Sequence, residues 1–201
     1  MSRMLEIDSR IISDDTDCYV IAEIGHNHQG DMAKAKLMFD AAKASGADAV
    51  KLQKRDNRAL YTKEMFDSAY VSENAYAETY GLHREALEFG HDEYVELKRY
   101  AAGIGITFFA TAFDLPSVDF LAELDMPAYK IASADVVNTP LIRYIAETGK
   151  PIVLSTGGAS IEDVDRAWGT ISAVNSQIAV LQCTASYPAE PEDMDLRVIE
   201  T

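Results

Sequence analysis

Two lysines lie inside runs that are otherwise apolar, Lys51 in AVKLQ (49–53) and Lys130 in AYKIAS (128–133). Taking an ammonium out of water is costly unless an anion neutralises it, so each lysine demands a partner. A core carboxylate such as Glu23 would serve, as a plain salt bridge. A phosphate and carboxylate clamp is the sharper chemistry, with Ser133, Ser155 and the loop amides around Gly157 and Gly158 as added donors. A third option is a Schiff base on one strand lysine whose pKa is depressed by desolvation. Two lysines with hydroxyls nearby suit an anion better than a single nucleophile.

Other polar residues end or follow apolar runs in the same way: Glu23 with the GHNHQG turn (25–30), Gln53, Thr111, Asp135, Thr156, Gln182, Thr184 and Tyr187. His26 and His28 have a spacing that can place two imidazoles together for a metal. In a glycine-flanked turn such residues also serve to hold the loop. His83 is expected near a site mouth, His91 at the surface, and the acidic residues from Glu73 to Glu88 on a solvated helix face. Cys18 and Cys183 lie in apolar runs without a partnered base and are expected to be reduced and packed.

The elements that would position these groups alternate strictly. Near-continuous apolar runs, the mark of strands buried on both faces, occur at 18–24, 47–53, 106–111, 128–133, 152–155 and 178–183. Amphipathic helical patterns fill 32–45, 91–103, 117–124, 140–148 and 160–174, and a last helix begins at 193 and runs to Thr201. Strand–helix alternation calls for a parallel sheet with right-handed crossovers. Met4 to Thr16 is predicted as a short β-hairpin turning at Asp14 and Asp15, placed to plug the N-terminal end of a barrel. The segment 54–90 is too long for an ordinary strand–helix loop, and an insertion at that end of a barrel strand is usually functional.

Two architectures follow: a complete open doubly wound sheet, or six βα units of an eight-unit (β/α)8 TIM barrel that stops before closure. Polar residues at almost every strand end favour the barrel. Domain organisation is then a hairpin at 1–16 and βα units at 17–201, with the insertion at 54–90.

The chain carries 33 acidic and 18 basic residues, a formal charge of −15, which speaks against nucleic acid. It also means that an anionic ligand needs a local basic pocket against the overall field. No apolar run is long enough to span a membrane. The N-terminal stretch has charges where a signal peptide needs apolar residues, so a cytoplasmic protein is expected.

Taken together, AEIGHNHQG (22–30), GADAVKLQ (46–53), FFATAF (108–113), MPAYKIASAD (126–135), GKPIVLSTGGAS (149–160) and LQCTASYP (181–188) resemble the successive strand-end motifs of the N-acetylneuraminate (sialic acid) synthase family, which includes legionaminic and pseudaminic acid synthases. The resemblance implies a closed TIM barrel followed by an antifreeze-like domain, swapped between the subunits of a homodimer. It implies condensation of phosphoenolpyruvate with an open-chain N-acetylated hexosamine, aided by manganese or magnesium. By the same resemblance Lys51, Thr111, Lys130, Ser133 and Ser155 hold phosphoenolpyruvate. Gln53, Asp135 and Tyr187 face the sugar, and Glu23 lies near the metal's water. The family's metal histidines belong to the seventh and eighth barrel strands, so none is expected here and the isolated chain is expected to be inactive. Asp135, Ala185 and Ala112 stand where the family usually has Glu, Asn and Pro. A class I aldolase, or a non-catalytic sugar-phosphate-binding protein, remains the alternative.

Overall fold

The computed structural model describes residues 3–200. The chain forms two compact units, one of Met1–Asp17 with Pro127–Thr201 and one of Cys18–Met126.

The first unit opens with an antiparallel hairpin of β1 (Met4–Ile7) and β2 (Arg10–Ser13). The chain reverses at Asp8 and Ser9, both with positive φ (51° and 65°), and not at Asp14 and Asp15 as expected. A two-residue hairpin turn needs that conformation at both central positions, and Asp tolerates it well. Residues 13–16 make a separate turn, in which Ser13 N–H donates to Thr16 Oγ1 at 2.9 Å. Leu5 and Ile7 are buried while Met4 and Glu6 face outward, the alternation of a half-buried strand.

In the unit of Cys18–Met126, three parallel strands run in order: β3 (Ile21–Gly25), β4 (Ala49–Lys54) and β5 (Thr107–Ala112). Helix α1 (Met32–Ala44) joins the first two; Asp31 caps it, and Ala35, Phe39 and Ala42 point inward at helical spacing. The insertion is structured: α2 (Asn57–Leu60), α3 (Lys63–Asp67) and α4 (Tyr80–Glu85) are short, each capped by an Asp or Thr side chain. The long α5 (His91–Ile104) ends on Gly105 in the left-handed conformation (φ 69°), so Gly103 is internal to the helix. After β5, Asp114 caps α6 (Leu115–Glu123) with Pro116 in its first turn. Both faces of β4 and β5 are buried, as the continuous apolar runs require, around Phe39, Leu52, Leu97 and Phe109.

The first unit continues with β6 (Tyr129–Ile131), a 3₁₀ turn at Ser133–Asp135, α7 (Thr139–Glu147), β7 (Ile152–Ser155), α8 (Ile161–Ser172) and β8 (Ile178–Leu181). Its strands are again parallel and in order. The hairpin docks just ahead of β8, where Glu6 N–H donates to Gln177 Oε1 at 3.1 Å. The helix expected from 193 is instead two 3₁₀ turns, Pro191–Asp193 and Leu196–Glu200; Thr201 lies outside the described residues. Its hydrogen bonds span three residues, Asp193 to Glu190 and Val198 to Asp195. Asp side chains compete with the helix backbone here, and no buried residue anchors a helical face. Among the described residues no helix is long and apolar enough to cross a membrane.

Candidate active site

Lys51 is 4% exposed in the middle of β4. Register places Glu23 of β3 directly beside it, so both side chains leave the same face of the sheet. Its Nζ pairs with the Glu23 carboxylate and donates to Thr111 Oγ1 of β5 at 2.8 Å. The plain salt bridge is therefore present. The Glu23 side chain is half exposed, so it can turn to water without being stranded. Burial pulls the Lys51 pKa down, and the Glu23 carboxylate opposes that shift. Gly25 has a positive φ of 56°, and a Cβ there would sit 3.3 Å from Glu23 Oε1 and 3.5 Å from Gln53 Nε2. Glycine at this position keeps both side chains free of crowding. Gln53 Oε1 accepts from Arg55 at 2.8 Å.

In the other unit Lys130 is half-buried, and its Nζ donates to the Ile131 carbonyl at 3.0 Å. Lys130 stands opposite Val153 in β7, so the buried Ser155, two residues further on, shares its face. Ser133 Oγ accepts the Gly157 N–H at 3.0 Å. That amide is already used, so it is not open to an anion as expected, although the Ser133 hydroxyl can still donate. Ala185 packs against Gly157, where a Cβ would lie 3.2 Å from the Ala185 methyl. Asp135 accepts from Asn138 Nδ2 at 3.3 Å. Tyr187 is 98% exposed.

The GHNHQG turn uses its histidines to hold itself. Nδ1 of His28 accepts the Gly30 N–H at 3.1 Å, and the ring stacks on Phe89 with centroids 4.0 Å apart. His26 Nε2 lies 3.2 Å from Glu88 Oε1. Among the described residues no group of three or more His, Cys, Asp or Glu side chains could hold a metal ion.

Several expectations need correction. Glu88 is not solvated: its side chain is 9% exposed and faces His26, Lys54 and Arg55. Its segment is no continuous helix, because α4 ends at Glu85 and β4 reaches back to claim the carboxylate. His83 does not line a mouth; it is buried against Tyr70 (4.4 Å) and accepts the Tyr76 N–H at Nδ1, tying the insertion together. Cys18 is exposed and Cys183 half-buried, both as free thiols and neither as core, since Cys18 precedes the first residue of β3 and Cys183 follows the last of β8. His91 is at the surface as expected.

Arg55 and Arg84 were not singled out from the sequence. The readable signal was weak: Arg55 directly follows a strand end, and Arg84 and Glu88 are four residues apart within an otherwise acidic segment.

The NeuB family matches residues 38–201. N-acetylneuraminate-9-phosphate synthase of Homo sapiens is 42% identical over 182 residues, covering 90% of this chain and 51% of the relative. N,N'-diacetyllegionaminic acid synthase of Legionella pneumophila is 35% identical over 190 residues, covering 92% and 53%. Among solved structures, the N-acetylneuraminic acid synthetase of Leptospira borgpetersenii, in complex with citrate, superposes with a TM-score of 0.84 at 30% identity; the match covers all of this chain and 66% of that one. The chain spans about half the length of the curated relatives it matches. It belongs to the NeuB family of sialic and related nonulosonic acid synthases.

Proposed function

We propose that the complete protein condenses phosphoenolpyruvate with an N-acetylated hexosamine aldehyde, giving a nonulosonic acid and phosphate, on a closed (β/α)8 barrel. The observation that carries this reading is Lys51, a buried ammonium held between Thr111 Oγ1 and a carboxylate free to leave. In the proposal Lys51 and Lys130 neutralise the phosphate and carboxylate of phosphoenolpyruvate, with Thr111, Ser133 and Ser155 hydroxyls completing the grip. Gln53, Asp135 and Tyr187 face the sugar. The nucleophilic C3 of phosphoenolpyruvate forms the new C–C bond to the aldehyde carbon. Water adds at C2, and phosphate then leaves by C–O cleavage. Glu23 or Asp135 moves the proton, while the two ammonium groups stabilise the developing charge. A divalent metal, manganese or magnesium, a homodimeric assembly and a cytoplasmic location belong to the same reading.

The test is calorimetry of the full-length protein with phosphoenolpyruvate. Lys51→Met and Lys130→Met should each abolish binding, and unchanged affinity in both would overturn the clamp. The 201-residue chain alone should release no phosphate; measurable condensation by it contradicts this account.

A second reading is favoured by one observation, the lowered pKa of the buried Lys51, which is the direction a Schiff-base lysine needs. Pyruvate with borohydride would then label Lys51 covalently, whereas the synthase would stay unlabelled.

A further inference from the structure

Gln53 stands near the C-terminal end of β4, two residues beyond Lys51, so both side chains leave the same face of the sheet, about 7 Å apart along the strand. Its amide can lie in two ways that exchange oxygen for nitrogen, and the two present opposite chemistry to a ligand. Arg55 decides between them. Its Nη2 donates to Gln53 Oε1 at 2.8 Å. A guanidinium carries donors and no acceptor, so the amide oxygen must face it; the flipped amide would set N–H against N–H. Nε2 is thereby turned the other way, to where a Cβ on Gly25 would lie 3.5 Å from it and 3.3 Å from Glu23 Oε1. A donor thus stands close to the Glu23 carboxylate, further along β4 than the Lys51 ammonium.

Arg55 is itself held from several directions. Its guanidinium packs 3.8 Å from the centre of the Phe113 ring, and its side chain is 10% exposed. Its backbone N–H donates to Glu88 Oε2 at 3.3 Å, while Nη1 lies 3.9 Å from Glu88 Oε1 and 3.5 Å from His26 Nδ1. The fork is used at both ends, Nη1 toward Glu88 and His26 and Nη2 on Gln53. A buried planar group pinned in this way has little rotamer freedom left, and the amide it grips inherits that fixed direction.

We propose that Arg55 is a positioning residue that locks the Gln53 amide with its N–H toward the amino sugar, so that the site selects a sugar presenting an acceptor oxygen there. The inference rests on the condensation proposed above, in which Gln53 faces the sugar. Arg55 touches neither substrate. Its effect passes through Gln53 and falls on the sugar, not on phosphoenolpyruvate.

A double-mutant cycle on the full-length protein tests this, with initial rates of phosphate release measured against phosphoenolpyruvate and a panel of N-acetylhexosamines. R55M should raise the KM for the sugar about 10-fold, the loss of one hydrogen bond, and leave the KM for phosphoenolpyruvate unchanged. Q53M should raise the sugar KM by at least as much. R55M added to Q53M should cost nothing further, because the group through which Arg55 acts is gone. R55K keeps the charge beside Glu88, but one ammonium cannot serve Gln53 and Glu88 at once. It should also raise the sugar KM, and it carries the test if R55M does not fold. Equal rises in both KM values mark a general distortion and overturn the positioning role. So do additive effects of the two substitutions, which mark a route that bypasses Gln53, and so does an unchanged sugar KM in R55M and R55K. A wild type that releases no phosphate with any sugar sinks the condensation reading, and the sugar role of Gln53 with it. Turnover with an additive cycle sinks the role of Arg55 alone.

Discussion

Lowering the pH should loosen the turn that follows β3. His28 is 1% exposed, and its Nδ1 must stay unprotonated to accept the Gly30 N–H. Burial first, then the neighbouring His26, lower its pKa from 6.5 to about 4; Glu88 opposes this and Lys34 adds to it. The folded pKa lies below the unfolded one, so the unfolded chain takes the proton first. The stability contributed by neutral His28 is complete above pH 6.5 and is lost as the pH falls toward 4. Between about pH 7.5 and 4.5 the loss is on the order of 2–3 kcal/mol. Urea unfolding followed by circular dichroism over that range would measure it, alongside His28→Asn, which keeps an acceptor near Gly30 and does not titrate. The many carboxylates of the chain titrate in both proteins and cancel in the difference. Wild type should lose about 2–3 kcal/mol more than the variant as the pH drops. A difference that stays constant with pH refutes the reasoning.

Gly30→Ala should cost at least about 2 kcal/mol, because φ is 74° and the new Cβ would sit 2.6 Å from the Ala86 carbonyl oxygen; an unchanged Tm would contradict it. Asp114→Ala should cost about 2 kcal/mol, since its two oxygens accept from Ser117 N–H and Asp56 N–H, both at 2.8 Å. Asn at 114 should restore part of that loss in chemical denaturation, and no recovery would mean that the cap is not the cause. Lys51→Met should leave stability equal or raised, because Glu23 stays solvated after the ammonium is removed. A fall in Tm of several degrees would show that the pair supports the fold.

The strands were legible because burial on both faces writes itself as continuous apolar runs, and β7 at Ile152–Ser155 emerges with its expected bounds. The ends were less so: β6 is only Tyr129–Ile131, since the expected stretch up to Ser133 turns into a 3₁₀ loop that brings Ser133 to Gly157. The hairpin turn was misplaced because Asp8-Ser9 and Asp14-Asp15 look equally turn-prone, and only pairing register separates them. At the site, the Lys51–Glu23–Thr111 contact follows from strand residues whose side-chain direction alternation dictates. The Arg55, Arg84 and Glu88 group was hidden because it depends on how a 37-residue insertion folds back, information that no local pattern carries.

The contact between Gly30 and the Ala86 carbonyl has a consequence for protein engineering. The two peptide segments approach so closely that neither can be re-shaped independently. Anyone grafting the 54–90 segment from a relative would have to transplant the six-residue turn at 25–30 with it, as a matched lock and key. Exchanging the loop alone would pit a foreign backbone against this glycine, and the chimera would lose the very alignment of Gln53 and Arg55 that the graft was meant to tune.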